Sequence, residues 1–227
     1  MTLILCAIKL EAKPFLEALE NKKTEKRAKL KIYHGMIDGS TVAVARCGVG
    51  LEKAAAAVRS LIDDLGASLI IMSGTAGGID KKLKIGDTVV SEELVYHEPI
   101  ENIPMQEDSS GDNISFKADA NLLSSAIQAV EKVSSAHTVY FGRITSGNKF
   151  VRGKNFDTIT EKFDPLCSDM ESAAAAHVCF IKNTPFIAVR SISDSREDSG
   201  IFSFFKHASQ ASKNSCIVVR KLLSELK

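Results

Sequence analysis

The 227-residue chain has no tryptophan, three tyrosines and only five prolines. It also lacks an excess of either charge, since 29 Lys and Arg stand against 28 Asp and Glu for a formal net of +1. That balance provides no global field to draw nucleic acid or an anionic membrane surface, so neither is expected as a partner. No apolar run approaches the ~20 residues of a membrane-spanning helix. Met1 to Ala7 is apolar but too short for a signal h-region, has no basic stretch before it, and runs directly into charge. The five cysteines (Cys6, Cys47, Cys167, Cys179, Cys216) are odd in number, scattered and without a C-x-x-C spacing. They read as buried free thiols in a reducing, cytoplasmic setting. The five histidines are equally dispersed, with no H-x-x-x-H, so no metal site and no cofactor is expected. What is present is ordinary globular material, 44% apolar and 25% charged. One domain of this length buries roughly 70% of its unfolded surface and needs no disulfide or metal to hold it.

Periodicity organises the rest. Met1 to Ile8 is a continuous apolar run, the mark of a strand buried on both faces, and Glu11 to Leu19 has helical spacing with Pro14 in its first turn. Residues 21–31 are basic and polar and read as a solvated loop or the start of an exposed strand. Lys31 to Ile37 and Thr41 to Arg46 flank Asp38-Gly39-Ser40, a hairpin signature. An alanine-rich helix follows over Leu51 to Leu65, and an apolar strand over Ala67 to Met72 ends in the turn Ser73-Gly74-Thr75-Ala76-Gly77-Gly78. Strands over 87–96, 138–145, 166–168 and 185–192 then alternate with helices over 120–133, 156–163, 170–181 and 202–226. Residues 98–115, with two prolines and several acids, read as a mobile loop. The alternation predicts a single α/β domain over residues 1–227 with a mixed, mostly parallel sheet flanked by helices. Ligands in such sheets bind beyond the C-terminal strand ends, and the chain places its oddest residues there: Glu11, the 73–78 turn, Ser146-Gly147-Asn148, Asp169-Met170-Glu171, and Arg190 with Asp194.

Each feature has a plain reading beside a sharper one. Glycines after a strand serve turns by default, or else allow close backbone approach to a ligand. Acids at a helix start favour the helix dipole by default. The four alanines after Ser172 nevertheless leave no bulk around Glu171, so its carboxylate can face a cavity. Arg190 and Asp194 close an apolar strand either as a strand-end ion pair or as part of a carboxylate held over a cleft.

Together these segments resemble the nucleoside phosphorylase/nucleosidase superfamily, and within it the 5′-methylthioadenosine/S-adenosylhomocysteine nucleosidases. AIKLEAKPF, CGVGLEKAAAA, SGTAGG, IGDTVVSEELVYHE, SGNKFV, SDMESAAAAHVC and VRSISD follow in the family's order nearly end to end. The resemblance implies hydrolysis of the N-glycosidic bond of an adenine nucleoside. It matches Asp194 to the acid at the purine N7, with Ser193 orienting it, and Glu11 to the base on the attacking water, with Arg190 and Thr75 placing that water. Glu171 matches the acceptor of the ribose hydroxyls, Met170 packs on the sugar, Phe150 stacks on adenine, and the Val151 backbone reads its edge. Asp169 stands one methylene shorter than the family's usual glutamate. Protonating the purine while the sugar becomes an oxocarbenium-like cation needs this combination of acid, base and anion. A phosphorylase would need cations around phosphate, and the strand before the glycine turn offers Ile70, Ile71 and Met72 instead. Glu11 favours water for the same reason. Alternatives are a futalosine-type hydrolase, a phosphorylase, and a non-catalytic storage or binding relative. The resemblance also implies a homodimer whose partner completes the pocket near residues 98–115.

Overall fold

A computed structural model describes residues 1–27, 29–98, 115–132, 138–198 and 201–226. In chain order the elements are β1 (Thr2–Cys6), α1 (Lys9–Ala18), β2 (Glu20–Arg27), β3 (Leu30–Ile37), β4 (Ser40–Arg46), α2 (Leu51–Asp63), β5 (Leu69–Gly78) and β6 (Thr88–Tyr96). They continue as β7 (Ser115–Lys117), α3 (Ala120–Glu131), β8 (Val139–Ser146), α4 (Asn155–Phe163), β9 (Cys167–Asp169), α5 (Ser172–Ile181), β10 (Phe186–Ser195) and α6 (Ile201–Glu225).

The apolar run at the start forms β1, which pairs in parallel with both β4 and β5. Its alternate residues feed two cores: Leu3 and Leu5 pack on one face of the sheet, Ile4 and Cys6 on the other. This double burial is why the segment reads as unbroken hydrophobicity. The hairpin between β3 and β4 turns at Asp38 and Gly39, both at positive φ (49° and 79°), the backbone that matches strand twist. The basic stretch becomes β2, an exposed strand at the sheet edge, where charge discourages edge pairing.

The sheet runs β10-β6-β8-β9-β5-β1-β4-β3-β2, and β10 also pairs with β5, so one end of the sheet closes on itself. Parallel pairings join β1, β4, β5 and β10 at its centre, and the sheet is mixed, as expected. One reading is corrected. Ser73 to Gly78 is not a turn but the second half of β5, paired with β10 and, at Gly77 and Gly78, with β9. The glycines keep extended backbone; what they supply is room above it. The short strand β7 carries too little pattern to be read from sequence. The loop expected over 98–115 falls, apart from its two end residues, outside the described residues.

Candidate active site

Glu11 lies in the first turn of α1. Its Oε2 accepts hydrogen bonds from the backbone N–H groups of Ala7 and Ile8 at 2.9 and 3.2 Å, donors that a helix start leaves without an intrahelical partner. Its Oε1 accepts from both N and Oγ1 of Thr75, each at 2.9 Å. Thr75 thus acts on the carboxylate directly and bolts α1 to β5. Gly74 makes the approach possible, because a Cβ there would fall 2.5 Å from Glu11 Oε1 and 2.6 Å from Arg190 Nη1.

Arg190, on β10, is fully buried and meets three carboxylates. Nε lies 2.7 Å from Asp169 Oδ2, Nη2 3.3 Å from Glu171 Oε2, and Nη1 3.9 Å from Glu11 Oε1. Nε also donates to Ser172 Oγ at 3.0 Å. The plain reading of a strand-end pair near the surface is therefore corrected: the ion pairs of Arg190 are interior and run to other elements. Burial by itself would lower the guanidinium's affinity for its proton, but Asp169, Glu171 and Glu11 outweigh it and hold Arg190 above its usual range. One cation cannot balance three carboxylates in so dry a place. Burial pushes the Glu171 carboxyl up to about 8, against the pull of Arg190 and with help from Asp169 and Glu11.

The two acids at the start of α5 divide the work. Asp169 Oδ1 accepts from the N–H groups of Glu171 and Ser172 at 3.1 and 3.0 Å and from Ser146 Oγ at 2.5 Å, so it takes the helix-start role. Glu171 is left for the cavity, with Oε1 accepting from the Gly50 N–H at 3.1 Å. Ala173 to Ala176 are all buried and bring no bulk between α5 and its neighbours.

Asp194 sits further along β10. The register of β10 on β5 shifts between Ile192 and Asp194, and this bulge lets the consecutive residues Ser193 and Asp194 both face the cavity. Asp194 is 5% exposed and accepts from Ser193 Oγ at 2.9 Å. Gly77 lies across from it, where a Cβ would come within 3.1 Å of Oδ2.

All of this converges on one cavity of about 330 Å³. Glu11, Thr75, Phe150, Val151, Asp169, Met170, Glu171, Ser193 and Asp194 line it, while Arg190 stands behind the wall as the tie between three of them. The sequence reading missed its apolar wall. Ile201, Phe204 and Phe205, from the first turns of α6, close one side, and Phe150 meets Phe204 edge-on with ring centroids 6.2 Å apart. The signal was the cluster Ile201-Phe202-Ser203-Phe204-Phe205, which helical periodicity alone assigns to a core. Lys149 is the one Lys or Arg among the described lining residues.

Residues 2–224 match the Phosphorylase superfamily. The chain belongs to that superfamily. Among solved structures it is similar to a 5′-methylthioadenosine/S-adenosylhomocysteine nucleosidase from Colwellia psychrerythraea 34H in complex with adenine (TM-score 0.89, 29% identity, covering 100% of this chain and 95% of that one). It is similar to the nucleosidase of the same name from Neisseria meningitidis in complex with methylthio-immucillin-A (TM-score 0.86, 27% identity, 97% of each chain). A futalosine hydrolase from Helicobacter pylori strain 26695 is also similar (TM-score 0.86, 25% identity, covering 99% of this chain and 97% of that one). These three hydrolases and this protein thus share one fold over nearly their whole length, as the motif order implied. Among the described residues no helix is long and apolar enough to cross a membrane.

Proposed function

We propose that this protein is an N-glycosidase that hydrolyses adenine nucleosides, with 5′-methylthioadenosine and S-adenosylhomocysteine as substrates, releasing adenine and the free thioribose. The carrying observation is the convergence of Glu11, Glu171 and Asp194 on one cavity, with Arg190 as the cation common to Glu11 and Glu171. Asp194 is the acid that protonates the purine at N7, with Ser193 holding its orientation. As the bond to the sugar lengthens, positive charge grows on the ribose. Glu11 is the anionic group there, and an anion preorganised in a buried site stabilises developing charge far better than water does. Glu171, whose carboxyl burial raises to about 8, holds the ribose hydroxyls by hydrogen bonds. Glu11, gripped by four donors, is the base that takes a proton from the attacking water. Phe150 offers a face for adenine, and Met170 packs against the sugar.

Water as nucleophile is supported by the charge count around the cavity. Met72 is buried in the core, Lys9 and Lys13 are exposed, and the charge of Arg190 is committed to three carboxylates. Glu11 would oppose a phosphate dianion at the place of the attacking water, and the exposed Lys149 is the one Lys or Arg of the described lining left to attract one. The apolar wall from Ile201, Phe204 and Phe205 suits an alkylthio group at the 5′ position. The exposed apolar residues Val49, Phe150, Ile201 and Phe205 at this cavity support a homodimer in which a partner subunit covers its mouth. The buried thiols suit the reducing cytoplasm.

The test is a panel of methylthioadenosine, S-adenosylhomocysteine, adenosine, inosine and futalosine, with and without phosphate. Adenine and free thioribose at an unchanged rate in phosphate-free buffer are expected. A sugar 1-phosphate as product, formed only with phosphate, would sink the hydrolase reading; exclusive turnover of futalosine would move the substrate.

A further inference from the structure

The turn Ser146-Gly147-Asn148 stands at the end of β8, touches three elements of the site, and has no place in the chemistry above. Its first residue is an anchor. Ser146 Oγ donates to Asp169 Oδ1 and accepts from the Ala173 N–H at 2.9 Å, while the Gly147 N–H donates to the Asp169 carbonyl at 3.1 Å. The last residue reaches the other way. Asn148 Oδ1 accepts from the Leu51 N–H at 3.2 Å, its Nδ2 donates to Glu52 Oε1 at 3.1 Å, and its N–H donates to Glu98 Oε2 at 2.9 Å.

Helix α2 needs that help. A helix start leaves N–H groups without partners, and a side chain at the cap position normally satisfies one of them. The cap position of α2 is Gly50, held at φ 110°, which has no side chain to offer. Asn148 supplies the missing oxygen from across the fold. Glu171 accepts from the N–H of the very residue that precedes Leu51, at 3.1 Å. Holding Leu51 therefore holds the Gly50 N–H on Glu171 Oε1, while Arg190 holds Oε2.

We propose that Asn148 is a positioning residue: as a remote cap on α2 it fixes the Gly50 amide, and through it the aim of Glu171 at the ribose hydroxyls. The second half of this statement rests on the function proposed above. Two measurements on Asn148→Ala and Asn148→Asp test it. Aspartate keeps the acceptor for Leu51 and adds a charge that a helix N-terminus favours. Because its second oxygen replaces the Nδ2 that donates to Glu52, Asn148→Asp is made together with Glu52→Gln, whose amide can donate to it.

The first is amide hydrogen exchange in the ligand-free protein. In Asn148→Ala, exchange at both Leu51 and Gly50 should quicken about tenfold, the scale of a lost cap, and Asn148→Asp should restore protection. Faster exchange at Leu51 with wild-type protection at Gly50 would overturn the coupling. The second compares kcat/KM for methylthioadenosine and its 2′-deoxy analogue. The preference for the ribonucleoside should shrink about tenfold in Asn148→Ala, as for one lost hydrogen bond to a charged or acidic group, with the deoxy substrate nearly unaffected and the preference regained in Asn148→Asp. An equal fall for both substrates, or no change in their ratio, would overturn the positioning role. If the wild type releases adenine from neither, the proposed activity fails on its own, and the exchange experiment still decides the coupling.

Discussion

Asp194→Asn keeps size and hydrogen bonding but cannot deliver a proton. Turnover should fall by about two to four orders of magnitude, the usual worth of a positioned acid, with little change in ligand affinity. Glu11→Gln should behave likewise, because the purine site stays whole while water loses its base. Steady-state kinetics beside thermal midpoints separate this from damage to the fold; near-normal turnover in Asp194→Asn would remove the acid assignment. Glu171 makes a different prediction, about stability. Its folded-state carboxyl is raised from 4.5 to about 8, so between those values the folded protein keeps a proton that the unfolded chain gives up. The unfolded state then binds fewer protons, and stability falls as pH rises through that window and levels off above it. Glu171→Gln mimics the protonated acid and cannot lose its proton. The midpoint of the variant should therefore gain on that of the wild type between about pH 5 and about pH 9. A difference independent of pH would show that Glu171 does not titrate there.

Helix α6 carries two unlike stretches. Its body packs on the sheet through Ala208, Ala211, Val218, Val219, Leu222 and Leu223, all buried. Its first turns bear Ile201, Phe202 and Phe205 at 46%, 90% and 70% exposure, and Ile201 and Phe205 line the cavity. Phe204→Ala should raise KM for methylthioadenosine by about tenfold or more, as expected for an apolar group that loses its wall. The effect on adenosine, which has no alkylthio group, should be smaller. Equal changes in both would detach Phe204 from the 5′ subsite. β10 shows a related economy. One bulge turns a strand that supplies core residues such as Val189 and Ile192 into one that also presents Ser193 and Asp194 to the cavity.

At the scale of the whole molecule, a sheet that closes through the β10–β5 pairing gathers the ends of β5, β9 and β10, with the segment that follows β8, around one cavity. Such a mouth, rimmed by exposed apolar side chains, is a surface that a second copy can cover. Sedimentation at micromolar concentration should give twice the 24.5 kDa chain mass. A monomer there would separate the protein from the dimeric reading without touching its chemistry.

Much was legible before any coordinates. Strand-helix alternation was enough for the fold class, because buried parallel strands and amphipathic helices leave different periods in the sequence. Glu11, Glu171 and Asp194 stood out as odd residues at strand ends and beside small residues, and it was the resemblance to the nucleosidases that implied their roles. Three things were decided only in space. The glycine segment is strand rather than turn, since its pairing with β9 and β10 depends on partners about a hundred residues away. Arg190 binds three carboxylates from α1, β9 and the start of α5 rather than its own neighbour, because a buried charge takes the partners that surround it, whatever their distance along the chain. The pocket's apolar wall at Phe204 and Phe205 was invisible as a wall. Periodicity reports that a helix has an apolar face, and only tertiary packing determines whether that face meets the core or a ligand.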